Sequence, residues 1–164
     1  MANLLRSTGL PARALTLEIT ENVIVDNEDR TLAKLTLLRE LGIRLAIDDF
    51  GTGYSSLSYL HRLPVDILKI DRSYVSGLGT RPELTSLTGT IVRLGRDLGL
   101  VLVAEGIEEA TQVHELIDLG CDLGQGFLFA QPLCAHDLSQ LLRERGLTLS
   151  IPKQRPAAAL PLRA

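Results

Sequence analysis

Four apolar stretches of this sequence end on charge. "LTLEIT" (Leu15–Thr20) carries Glu18 and runs into Glu21, and "RLAIDD" (Arg44–Asp49) ends on Asp48 and Asp49. "DILKID" (Asp66–Asp71) carries Lys69 and Asp71, and "VLVAEG" (Val101–Gly106) carries Glu105. Adjacent carboxylates at the end of a buried segment are costly unless positive charge sits among them. A hard divalent cation, Mg2+ or Mn2+, suits a ligand set made only of carboxylate oxygens. Asp48 could bridge two ions, with Asp49 and Glu105 on one and Glu18 on the other. Two ions roughly 3.5–4 Å apart form a clamp for in-line attack on phosphorus. Lys69 and Asp71 are two residues apart, so a strand turns them to the same face. An ammonium there can orient an attacking water or stabilise charge in a transition state. The plainer readings are that Glu18 faces solvent and that Lys69 is a structural ion-pair partner. "FGTGYSS" (Phe50–Ser56) reads equally as a connection or as a loop whose glycines let backbone approach a ligand.

The elements that must hold these residues repeat. "LRELGIRLAIDD", "GRDLGLVLVAEG" and "LIDLGCDLGQG" each give a helical stretch, a Leu-Gly and then an extended segment. Gly42, Gly99 and Gly120 fit the left-handed position that closes a helix. Leu32, Leu35, Leu38 and Leu41 form one helical stripe; Ile91, Leu94 and Leu98 a second; Val113, Leu116 and Ile117 a third. Glu108 and Glu109 are expected early in that third helix, at the positive end of its dipole. A fifth extended segment is read at "LGQGFLF" (Leu123–Phe129) and a last helix near 135–145. Strands alternating with helices imply an α/β fold with a parallel sheet and right-handed crossovers. Its strands deliver their charges at one shared rim, the catalytic rim of a barrel of this type. Asp66 and Asp122 read as turn residues ahead of strands.

Composition narrows the function classes. The 164 residues are 45% hydrophobic with formal net charge −3, which suits one globular domain and supplies no basic footprint for DNA or RNA. No apolar run reaches the roughly 18 residues of a membrane span, and no basic segment leads into an apolar one as in a secretory signal. A cytoplasmic location is expected. Cys121 and Cys134 read as small buried residues of a reducing compartment, and the three histidines lack metal-site spacing. The proline-punctuated end, residues 147–164, is expected to be a disordered tail behind a domain spanning 1–146.

Five motifs in order, "LTLEITE", "IDDFGTGYSSL", "LKIDRSYV", "VLVAEGIEE" and "GCDLGQGFLFAQPL", resemble the EAL domain family, the cyclic-di-GMP phosphodiesterases of bacterial signalling. The resemblance implies a modified TIM barrel and metal-dependent hydrolysis of cyclic di-GMP to linear pGpG. It implies Glu18, Asp48, Asp49 and Glu105 as metal ligands, Lys69, Glu105 and Glu108 as catalytic residues, and Gln125 and Asp71 near the substrate. Glu21 would steady the loop that includes Phe50, Gly51, Thr52 and Gly53. The tripeptide that names the family does not occur here, nor does the asparagine that follows it, and both supply ligands in the family. The expectation is therefore an incomplete TIM-type (β/α) barrel of about five of eight strands, nearly inactive alone, with open edges at "LTLEIT" and near "LGQGFLF". Such a sheet should self-associate or pair with the absent strands. The alternative is a non-catalytic module that binds cyclic di-GMP, metal or another protein.

Overall fold

The computed structural model describes residues 1–20, 28–51 and 60–144. In chain order these are helix α1 (Ala2–Thr8), a 3-10 turn (Ala12–Ala14), strand β1 (Thr16–Thr20), α2 (Glu28–Glu40), β2 (Arg44–Phe50) and β3 (Ile67–Ile70). There follow α3 (Arg72–Val75), α4 (Pro82–Asp97), β4 (Val101–Ala104), α5 (Ala110–Leu119), β5 (Leu123–Gly124) and α6 (Ala135–Glu144). Helix α4 starts with Pro82, whose missing N–H costs nothing in a first turn. Helices α2, α4 and α5 run into glycines with positive φ, at Gly42 (+85°), Gly99 (+72°) and Gly120 (+85°). The repeated Leu-Gly is thus a helix stop before each following strand, as its chemistry requires.

The five strands form one parallel sheet in the order β1-β2-β3-β4-β5. Each strand lies beside its neighbour in sequence and the order never reverses. Right-handed crossovers then stack the connecting helices α2, α4 and α5 on one face, the arrangement of a barrel wall rather than of a doubly wound sheet. Register and alternation put Leu45, Ile47, Leu68, Ile70, Leu102 and Ala104 on that face. All six are essentially buried and pack with Leu35, Ile91, Val92 and Leu116 of the helices. The opposite, concave face carries Thr16, Glu18, Ala46, Asp48, Ile67, Lys69, Val101 and Val103. At the amino ends of the strands, Asp66 Oδ2 accepts the Leu45 amide at 3.0 Å, and Asp122 Oδ2 accepts the Leu102 amide at 3.0 Å. Each aspartate therefore ties its own strand to the preceding one.

Several sequence expectations need correction. The last strand is two residues long, because Gly126 packs directly on the Ile107 backbone and the Leu128 amide donates to the Ile107 carbonyl, which turns the chain. Helix α5 begins at Ala110, not at Glu108. Glu109 is its N-cap, in a reciprocal capping box with Gln112, which leaves Glu108 outside the helix. Leu41 and Ile117 are exposed: Leu41 lies in the turn past the end of α2, and Ile117 lies off the buried stripe that its neighbour Leu116 occupies. Cys134 is exposed too, whereas Cys121 is half-buried with its Sγ near the Leu123 carbonyl. Residues 147–164 lie outside the described residues. No described helix is long and apolar enough to cross a membrane.

Candidate active site

Lys69 stands at the centre of the carboxyl-end rim. It is only 6% exposed. Its Nζ lies 2.7 Å from Asp48 Oδ1, 2.8 Å from Glu18 Oε2 and 2.6 Å from Glu105 Oε1. Three strands thus hand carboxylates to an ammonium on a fourth. Burial opposes the charge on Lys69, but the hydrogen bonds it donates to the three carboxylates outweigh that and hold the amine well above its ordinary value. A lysine so held is a hydrogen-bond donor and a fixed positive charge, neither an acid nor a base near neutral pH. Burial pushes the Glu105 carboxyl up; Lys69 pulls it down, and the nearby charges of Asp48 and Glu18 add to the rise.

Two consecutive strand residues should point to opposite faces, so Asp48 and Asp49 need a device to share one site. The sheet supplies a bulge. Ile47 pairs with Leu68 but Phe50 pairs with Ile70, so the two aspartates together oppose Lys69 alone. Asp49 takes a positive φ of +53° at this step. The extra residue also returns Phe50 to the helix side, where it is buried in the core. Without it, simple alternation from Ala46 and Asp48 would place this large apolar ring on the polar concave face. That break in pattern was visible in the sequence as the one sign of the bulge.

The bulge brings oxygens of Asp48, Asp49 and Glu105 within 4.8 Å of one another. Three carboxylates also share the single ammonium of Lys69, so the cluster carries excess negative charge. This donor set suits a hard divalent cation. Gln125 Nε2 donates to Glu105 Oε1 at 2.7 Å and the Gln125 amide to the Ala104 carbonyl at 2.8 Å, so the glutamine borders the cluster. Glu108 is not in that cluster: it pairs with Arg72 Nη2 at 2.8 Å. Both line a cavity of about 570 Å³ that reaches Glu105, Gln125, Phe127 and Pro132. Asp71 caps α3, its Oδ1 accepting the Ser73 amide at 2.9 Å. Although partial burial works against its charge, that side-chain and backbone bonding holds its carboxyl below the ordinary value. Glu21, Thr52 and Gly53 lie outside the described residues. Sequence reasoning passed over Arg72 and Phe127; Arg72 sits inside a quoted motif, and Phe127 was placed in a strand that ends before it.

Residues 1–132 match the EAL domain family, and the chain belongs to that family. It is 45% identical over 139 residues to cyclic di-GMP phosphodiesterase NbdA of Pseudomonas aeruginosa, covering 85% of this chain and 18% of NbdA. Its structure is similar to that of the PaMucR phosphodiesterase in complex with c-di-GMP (TM-score 0.79, 43% identity, 84% of this chain and 56% of that one). A manganese/cy-diGMP complex of Klebsiella pneumoniae BlrP1 is similar as well (TM-score 0.74, 37% identity, 79% of this chain and 33% of that one). The chain therefore spans less than two thirds of these relatives.

Proposed function

We propose that this rim is the hydrolytic centre of a cyclic-di-GMP phosphodiesterase, with linear pGpG as product and Mg2+ or Mn2+ as cofactor. The observation that carries the reading is the bulge that turns Asp48 and Asp49 toward Glu105 beside the buried Lys69. Asp48, Asp49 and Glu105 would hold a cation, with Glu18 on the far side of Asp48. A bound divalent cation supplies Lewis acidity toward a phosphoryl oxygen and toward water. The protein's own groups do the rest. Lys69, kept protonated, orients the attacking water and offsets charge on the phosphoryl oxygens. Gln125 fixes the Glu105 carboxylate, which is placed to take a proton from that water. Water adds to phosphorus as the bond to the ribose oxygen breaks, and that oxygen takes up a proton from solvent water as it leaves. Arg72 and Glu108 line the space beside this centre, where a nucleotide of the substrate would lie.

Calorimetry with Mn2+ on purified residues 1–164 should show weak binding that Glu105→Gln removes. Equal binding by both proteins would put the ion elsewhere. Turnover of cyclic di-GMP by these residues alone should be negligible beside that of a longer relative, since the Glu-Ala-Leu tripeptide and its ligand are not among them. Comparable turnover would overturn the role given to the tripeptide and the asparagine that follows it in the family, and Asp48→Asn should then abolish it.

A further inference from the structure

We infer that Tyr74 is a positioning residue for the Asp48–Asp49 pair, acting through the backbone of Gly51. The inference rests on reading the pair as metal ligands, and it concerns what keeps them turned to one face. Asp49 is the only non-glycine with positive φ among the described residues. Such a backbone persists only where its surroundings enforce it. On its amino side the enforcement is the pairing of Ile47 with Leu68 and the hold of Lys69 on the Asp48 carboxylate. On its carboxyl side Phe50 is buried opposite Ile70, and then the Tyr74 hydroxyl donates to the Gly51 carbonyl at 2.6 Å. Gly51 has φ +96°, and a Cβ there would lie 2.7 Å from the Tyr74 hydroxyl, so ring and glycine are in direct contact.

Tyr74 is itself firmly placed. It belongs to α3, whose start is capped by Asp71, its amide donates to the Asp71 carbonyl at 3.1 Å, and Val75 beside it is fully buried. The segment 69–74 therefore grips the β2 bulge at two points, one on each side of Asp49. The grip at Gly51 needs a hydroxyl and not merely a ring, because its partner is a carbonyl oxygen.

The experiment measures Mn2+ affinity by calorimetry for the wild type, Tyr74→Phe, Asp49→Asn and the double variant, with amide exchange over residues 48–51. Tyr74→Phe should weaken Mn2+ binding about tenfold, the scale at which a lost supporting bond acts on a metal site. It should speed exchange over 48–51 and lower the melting temperature by only the few degrees that one lost hydrogen bond is worth. In the Asp49→Asn background it should weaken binding no further. Unchanged affinity in Tyr74→Phe, or an equal loss in both backgrounds, overturns the inference. If the wild type takes up no Mn2+, the metal reading fails by itself. Exchange then decides on the tether: faster exchange in Tyr74→Phe upholds it and unchanged exchange overturns it.

Discussion

Carboxylates sit at both ends of this sheet and do opposite work. At the amino ends of the strands, Asp66 and Asp122 each accept one backbone amide from the preceding strand. At the carboxyl ends, Glu18, Asp48 and Glu105 crowd around one ammonium, with Asp49 turned toward Asp48 and Glu105 by a bulge. The first pair is matched to fixed donors and closes its own accounts of hydrogen bonding. The second set gathers three carboxylates on one ammonium and turns Asp49 toward two of them, a donor set that suits a divalent cation. The difference separates the two sets by their partners rather than by residue type: backbone amides at one end, a shared ammonium at the other.

The sharpest way to break this contrast is Lys69→Met, which leaves three carboxylates facing one another. Truncating one side of a buried ion pair costs about 3–5 kcal/mol. Glu18 is half exposed and screens its share, so a loss of about 3 kcal/mol in denaturant unfolding is expected. Added Mn2+ should recover part of it. No loss would mean that solvent already neutralises the rim. Next come Asp66→Ala and Asp122→Ala, each of which strands a backbone amide and should cost about 1–3 kcal/mol. Asp48→Asn, at the other end, should leave the ion-free protein unchanged or slightly more stable. If Asp48→Asn proves as damaging as Asp66→Ala, the two ends are not different in kind.

The smallest effect belongs to Asp71. Asp71→Ala removes the cap of α3 and should cost about 1 kcal/mol at neutral pH. Because its carboxyl is held below the ordinary value in the fold, its contribution is present above the unfolded value, about 3.9. It is lost as pH falls through the lower, folded one. Wild type and variant should therefore converge in stability in strong acid. A difference that persists there would assign the cap to something other than the ionised carboxylate.

Much of this architecture was legible in the chain. The three Leu-Gly stops declare themselves because only glycine takes their backbone without strain, and strand ends carrying charge declare the rim. Lys69 and its acidic partners were readable for the same reason: few structural roles put so many carboxylates at the ends of successive apolar runs. What escaped depended on contacts distant in sequence. The end of β5 is set by the Ile107 backbone pressing on Gly126. The start of α5 is set by whether Glu109 or Glu108 reaches back to cap, and local charge preference cannot tell them apart. Leu41 and Ile117 follow the helical spacing of their stripes, but spacing does not say where a helix leaves the core. The bulge was half visible, in a phenylalanine falling on the wrong beat.

The unbroken strand order has a consequence for how the protein is made. Each strand's partner is the one synthesised just before it, so the sheet can grow from the ribosome outward with short-range closures. Glu18 emerges first, then the aspartate pair, then Lys69, and Glu105 last. Until β3 arrives, β1 and β2 present Glu18 and Asp48 to each other with no cation between them, and their docking is opposed by their own charge. Delivery of the Lys69 ammonium removes that opposition and secures both earlier strands at once. The residue proposed to orient water at the rim would, during synthesis, also be the charge that lets the nascent sheet set.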